Sequence, residues 1–271
     1  MNKLLLFAFI ILIMGCEKLE FNISNLNENN ITILGHGGMG IASTYPMNSF
    51  ESIAYCLNLG ADGTEIDIEM TKDNVLVSFH DYELSDRTNV SGNIFNKNWD
   101  EIKDATYINP IYTGYKIINL DMLFSNLGTH RNKIFAFDCK NFNPDTSIQY
   151  RTTFCKEVLK IIDKYNIQNN VLLELKREDI IKTMKSMRPD LKILVYADYA
   201  NGILLAKKYQ LQGIVVSNDN ITKEQVLAAH QNGLLVTIFN VHSNKRNIEA
   251  INKNADIIET DKLKHLLRVL R

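Results

Sequence analysis

Residues 62–81 read Asp-Gly-Thr-Glu-Ile-Asp-Ile-Glu-Met-Thr-Lys-Asp-Asn-Val-Leu-Val-Ser-Phe-His-Asp, charged where a buried strand should be apolar. Glu65, Asp67 and Glu69 recur at every second position. A strand turns all three to one face and Thr64, Ile66, Ile68 and Met70 to the other. Carboxylates roughly 7 Å apart along a strand repel one another unless a cation joins them. Ca²⁺ and Mg²⁺ choose oxygen ligands of this kind. Asp73-Asn74 is a turn signal, and Val75–Phe79 is a short apolar strand ending in His80-Asp81. An imidazole at a strand tip beside a carboxylate suits general acid–base work. An exposed edge strand with a solvated acidic face would account for the same residues.

The flanking elements say where these groups sit. Ile31–Leu34 is a β-branched strand that delivers Gly35-His36-Gly37-Gly38 to a loop. Phe50, Ile53, Ala54 and Leu57 form a helical apolar stripe, with Asn48 or Ser49 as its N-cap. Residues 82–117 lack a clean period but hold Tyr82, Phe95, Trp99, Tyr107, Tyr112 and Tyr115. They form a lid-like excursion whose aromatics chiefly pack the loop down. From residue 133 on, strand-like and helical segments alternate, the pattern of βαβ units in a parallel sheet. Eight or so strands in about 240 residues point to a (β/α)₈ barrel. Nine strand candidates are present, so one is irregular or outside the barrel. The link from Asp67 to Val75 has no helix, so parallel pairing there would need a short extended crossover. No G-x-G-x-x-G follows a strand, which weakens a dinucleotide-binding alternative.

A parallel barrel gathers its strand C-termini, and its site, at one face. The polar residues at those ends are His36, Glu65, Asp67, His80, Asp138 with Lys140, Glu174, Asn240 and Asp261. A divalent cation on the carboxylates would hold a phosphoryl oxygen. One His would take a proton from the attacking oxygen and the other would give one to the leaving alkoxide. Lys140 would neutralise the phosphate as a point charge. Glu69 is expected in a strand-exit salt bridge, and Glu174 and Asp261 as Lys partners or helix caps. His130, His230, His242 and His265 are expected to be solvated bystanders.

The stretch GADGTEIDIEMTKDNVLVSFHD resembles the signature of the glycerophosphodiester phosphodiesterase family, with Asn74 at the family's turn glycine. LGHGG stands where that family has His-Arg-Gly, FAFDCK resembles its E-x-K strand, and TIFNV and DIIETD match its later motifs more weakly. The resemblance runs from about Ile31 to Asp261. It implies a TIM barrel of the phospholipase-C-like phosphodiesterase type, with an excursion after the third strand. It also implies His36 and His80 as catalytic residues, Glu65, Asp67 and Asp138 as ligands of one Ca²⁺ or Mg²⁺, and Lys140 as phosphate-binding. The activity implied is hydrolysis of a small glycerophosphodiester to an alcohol and sn-glycerol 3-phosphate. A cyclising, lyase-like relative acting on a larger phosphodiester and a non-catalytic ligand-binding barrel are the alternatives. Two departures come as a pair: Gly37 replaces the family's phosphate-binding Arg, and Met47 replaces the Glu of its Pro-Glu-Asn-[ST] motif. If those two family residues form an ion pair, losing both strands neither charge. Asp138 is one methylene shorter than the family's Glu, so a cation must shift or take a water.

Residues 1–16 read as an exported lipoprotein's signal and lipobox: a basic start, an apolar run from Leu4 to Met14, then Gly15-Cys16. Cys16 would be lipidated, anchoring the chain to a bacterial membrane on the periplasmic or cell-surface side. Residues 17–30 read as a polar tether and 31–271 as a single catalytic domain. The formal net charge of −1 argues against nucleic acid as a partner. Cys56, Cys139 and Cys155 fit no zinc spacing. Cys56 and Cys139 suit small core positions, while export leaves a Cys139–Cys155 disulfide open.

Overall fold

The computed structural model describes residues 20–41 and 43–271, so the lipobox and Cys16 lie outside the described residues. Ten strands follow in chain order: β1 (Thr32–Gly35), β2 (Gly63–Met70), β3 (Leu76–Ser78), β4 (Ile118–Asn119), β5 (Ile134–Cys139), β6 (Val171–Leu175), β7 (Lys192–Tyr196), β8 (Gly213–Ser217), β9 (Leu235–Val241) and β10 (Ile257–Thr260). Eight of them pair in parallel and close on themselves, because β1 bonds both β10 and β2. Helices α1 (Phe50–Asn58), α2 (Trp99–Ile102), α3 (Leu120–Asn126), α4 (Ile148–Tyr165), α5 (Glu178–Met187), α6 (Tyr199–Tyr209), α7 (Lys223–Gln231), α8 (Asn244–Asn252) and α9 (Leu263–Leu270) complete the chain. Short polar side chains set the starts of several of them. Ser49, Ser147, Asp198, Thr222 and Ser243 each accept a backbone N–H of the first turn, satisfying donors that a helix leaves unpaired.

The strand candidate at Val75–Phe79 does not join the barrel. A parallel return needs a connection of a dozen or more residues, and only residues 71–75 are available. Instead β3 runs back antiparallel along the end of β2, pairing Ile68 with Ser78 and Met70 with Leu76. The turn closes through Thr71 N–H to Val75 O at 2.9 Å, and Asn74 takes the left-handed conformation at φ 67° that its side chain tolerates. β3 then carries β4 on its other edge. The hairpin brings the chain back to the barrel rim, where Phe79 N–H donates to Asp67 O at 3.1 Å.

Residues 82–117 bury Leu84, Ile94, Ile102, Ala105 and Tyr107 together with Val77 and Phe79 as a separate apolar cluster. Tyr107 Oη donates to Met47 O at 3.1 Å and Tyr112 Oη to Ser43 O at 3.1 Å, tying this excursion to the loop after β1. Residues 20–30, expected as part of a flexible tether, lie against the barrel. Asn25 Nδ2 donates to Ala255 O and Leu26 N–H to Asp256 Oδ1, both at 2.8 Å, and Phe21 and Ile23 pack on the main core. That core fills the space between sheet and helices. Cys56, Cys139 and Cys155 are free and buried, and burial pushes the thiols of Cys56 and Cys155 up to about 12. They are packing residues, and the Cys139–Cys155 disulfide does not form.

Candidate functional site

Alternation along the barrel strands builds the site in layers. Leu34, Ala136, Leu172, Leu194, Val215 and Ile257 pack together inside the barrel. The next inward position on each strand lies two residues on, which lists His36, Asp138, Glu174, Tyr196, Ser217 and Glu259. Glu65 and Asp67 join them from β2, whose Ile66 and Ile68 face the outer core. An apolar floor therefore carries a polar layer at the strand ends.

Glu65, Asp67 and Asp138 each present an oxygen within 4.8 Å of the other two. Each carboxylate is held by one side. Gly37 N–H donates to Glu65 Oε2 at 2.8 Å, and Asn48 Nδ2 donates to Asp67 Oδ2 at 2.6 Å. Lys140 Nζ lies 2.6 Å from Asp67 Oδ1 and 2.5 Å from Asp138 Oδ2. Its contact with Asp67 is an ion pair without hydrogen-bond alignment, since Asp67 Oδ1 has no bonding partner. Glu65 Oε1 and Asp138 Oδ1 are buried with no partner either. Buried, hard, unpartnered oxygens are what a divalent cation of the Ca²⁺ or Mg²⁺ kind requires, so this donor set fits one. Neighbouring members titrate in opposite directions. Burial and then Asp67 push the Glu65 carboxyl well above its ordinary value. Burial would raise Asp67 too, but Lys140, His80 and His36 hold it well below the carboxylate range. Lys140 touches Asp67 and not Glu65, which explains the split.

The two imidazoles flank this cluster. His36 follows β1 directly. Gly35 permits that approach, because a Cβ there would lie 1.9 Å from Gly38 O. His36 Nδ1 pairs with Asp261 Oδ1 at 2.7 Å. Burial is the largest influence and lowers its pKa, but the hydrogen bond and charge of Asp261 together with the charge of Asp67 bring the net shift upward. His80 reaches the same mouth from the end of the hairpin rather than from a barrel strand. Its Nδ1 pairs with Asp81 Oδ1 at 2.8 Å, and Arg87 Nε holds Asp81 Oδ2 at 2.7 Å. His36 and His80 line one pocket, with Met47, Asn48, Phe79, Tyr107 and Tyr112 as its main walls. A carboxylate on each Nδ1 places the proton there in the neutral ring and leaves Nε2 as the open nitrogen. Positions 37 and 47 are in contact, since a Cβ on Gly37 would lie 2.9 Å from Met47 Cε. Both sequence departures thus occur at one spot.

Several expectations need correction. Asp261 neither pairs with Lys nor caps a helix; it orients His36. Glu174 is buried beneath the mouth with Glu259, where burial, partly offset by their mutual hydrogen bond, pushes Glu174 up to about 8. Glu69 forms no salt bridge among the described residues, because it is buried where backbone donors reach it. Met70 N–H and Phe142 N–H donate to it at 2.9 and 2.7 Å. His230 is no solvated bystander: its Nε2 bonds the buried Asp256 at 2.8 Å. Ser49, and not Asn48, caps α1. Asn48 is left free to orient Asp67, and its φ of 65° puts its amide there. The motif around Asn48 carried that signal, whereas Asp261, read only as a strand-end residue, gave no sign of its pairing with His36, 225 residues away.

The sequence profile of the Glycerophosphoryl diester phosphodiesterase family matches residues 39–265. A glycerophosphodiester phosphodiesterase of Bacillus altitudinis is 26% identical over 231 residues, 82% of this chain and 91% of that one. One of Caldanaerobacter subterraneus is 26% identical over 239 residues, 86% of this chain and 95% of that one. Among solved structures, an Oleispira antarctica phosphodiesterase in complex with the product sn-glycerol-3-phosphate aligns with a TM-score of 0.78 at 15% identity, covering 89% of this chain and 97% of that one. The Thermotoga maritima glycerophosphodiester phosphodiesterase aligns with a TM-score of 0.70 at 19% identity, covering 89% and 98%. At such identities the structural likeness establishes the barrel fold.

Proposed function

Because the chain belongs to the glycerophosphoryl diester phosphodiesterase family, whose members are phosphoric diester hydrolases, we propose that it hydrolyses glycerophosphodiesters to an alcohol and sn-glycerol 3-phosphate by metal-dependent acid–base chemistry. The observation that carries this reading is the convergence of Glu65, Asp67 and Asp138 within 4.8 Å beside a pocket that both His36 and His80 line. The three carboxylates would hold one Ca²⁺ or Mg²⁺, which when bound draws off phosphoryl charge. His36 and His80 move the protons through Nε2: one ring takes the proton of the attacking oxygen, the other returns one to the leaving alkoxide. Asp261 and Asp81 fix the two rings and stabilise each imidazolium as it forms. Phe79, Tyr107 and the apolar walls of the pocket limit water beside the reacting oxygens.

Phosphorus NMR of glycerophosphocholine turned over with Ca²⁺ or Mg²⁺ is expected to show sn-glycerol 3-phosphate as the first product. A persistent cyclic phosphate would replace hydrolysis with the cyclising reading, and no turnover of any diester would favour a binding barrel.

We further propose that the protein is exported and held on a bacterial membrane through lipid on Cys16. The Leu4–Cys16 sequence supports this. Among the described residues no helix is long and apolar enough to cross a membrane. Cys16→Ser is expected to shift the protein from the membrane fraction to the soluble fraction. An unchanged distribution would contradict the anchor.

A further inference from the structure

Lys140 is already paired with carboxylates. Two carboxylates lie within 2.6 Å of its ammonium. A phosphodiester brings a negative charge to a mouth already crowded with the carboxyl groups of Glu65, Asp67 and Asp138 and, below them, Glu174 and Glu259. Beside the divalent ion proposed for the three carboxylates, a side-chain cation that they have not already paired would meet that charge.

Lys176 meets that requirement by position. Asp138 on β5 pairs in register with Glu174 on β6. Lys140 and Lys176 each follow two residues later, so they leave adjacent strands side by side on the inward face. Among the described residues Lys176 forms no ion pair with a carboxylate; its ammonium lies 3.9 Å from the centroid of the Tyr196 ring. Tyr196 occupies the inward position above Leu194 and is braced edge-on by Phe239, with centroids 4.8 Å apart. A ring face orients an ammonium while leaving N–H donors open, whereas a carboxylate would occupy them. The lysine side chain is solvent-accessible, so a ligand can reach it. Enough protein surrounds the ammonium that burial lowers its pKa, opposed by Asp138, Asp67 and Glu174 and reinforced by Lys140. The same charges that define the cation site therefore act on it.

We propose that Lys176 is a substrate-binding residue whose ammonium, held over Tyr196, receives the phosphoryl group, while Lys140 remains with Asp67 and Asp138. This rests on the diesterase reading of the same site and assigns its anion-binding group. It divides two tasks between neighbouring lysines. Lys140 spaces the carboxylates, and Lys176 supplies the positive charge that Gly37 does not.

The test is calorimetric binding of sn-glycerol 3-phosphate to the full chain in saturating Ca²⁺, comparing wild type, Lys176→Met and Lys176→Arg. Lys176→Met is expected to weaken binding about 10-fold or more. It should raise KM for glycerophosphocholine by a similar factor with a smaller change in kcat. Lys176→Arg is expected to recover most of the affinity. Ca²⁺ affinity without glycerol phosphate, and the melting temperature, should match wild type in both variants. Wild-type affinity in Lys176→Met would overturn the proposal. So would a matching loss of Ca²⁺ affinity, which would make Lys176 a partner of the carboxylates. A wild type that binds glycerol phosphate through Lys176 yet cleaves no diester would overturn the diesterase reading and leave this assignment standing.

Discussion

His36→Ala and His80→Ala are each expected to lower kcat for glycerophosphocholine by about 10²–10⁴-fold, with the fold retained. Both rings line one pocket beside the acidic cluster, and each is oriented by a carboxylate on Nδ1. Neither ring is a packing anchor: their side chains are 20% and 47% exposed, so truncation opens no large core cavity. Removing His36 does leave Asp261 without its imidazole. Gly40 and Ile41 crowd the same carboxylate, and Ile41 N–H still donates to it at 3.2 Å, which limits the structural cost. The two variants should be no worse together than the worse one alone by any large factor, because acid and base act in one transition state. Steady-state kinetics beside circular dichroism checks this. Near wild-type turnover in either single variant would remove that histidine from the chemistry.

Lys140→Met is expected to destabilise the cation-free protein by about 3–5 kcal/mol. A buried ammonium lies between Asp67 and Asp138, and its removal leaves two carboxylates facing each other in a dry layer. The raised folded pKa means that Lys140 contributes stability fully below the ordinary lysine value of 10.5. The loss therefore appears throughout the neutral range. Adding Ca²⁺ or Mg²⁺ should narrow the gap, because a divalent ion supplies the charge that the variant lacks. Denaturant unfolding in EDTA and again in excess cation measures both effects. A difference from wild type below about 1 kcal/mol in EDTA, the range of exposed pairs, would show that the ion pairs contribute little.

The sequence made most of the mouth legible, for a local reason. Glu65 and Asp67 on one strand, and Asp138 with Lys140 on another, obey a period of two, and a period is visible in one dimension. The departures at Gly37 and Met47 were also legible as a pair, and the contact between these positions explains why they change together. What failed was pairing across distance. The direction of β3 depended on a turn too short for a crossover, which alternation does not reveal. Asp261 reaches His36 only once β10 pairs with β1 to close the barrel. Glu69 shares the periodicity of Glu65 and Asp67 yet sits beyond the rim, where β2 is paired with β3 and backbone donors satisfy it. His230 and Asp256 lie in different segments and meet only in the fold. Lys176 gave a weak signal, a Glu174-x-Lys176 that repeats the spacing of Asp138 and Lys140 on the preceding strand. Its meaning depends on the β5–β6 register and on Tyr196 beneath it.

The central claim is that three carboxylates and two imidazoles act as one hydrolytic unit around a cation. The most direct measurement is the release of sn-glycerol 3-phosphate from glycerophosphocholine by the wild-type chain after EDTA treatment and gel filtration, and again after Ca²⁺ or Mg²⁺ is returned. The account predicts negligible release from the stripped protein and recovery on adding the cation, with Asp67→Asn unable to recover. Undiminished release from the stripped protein, or full recovery in Asp67→Asn, would contradict it.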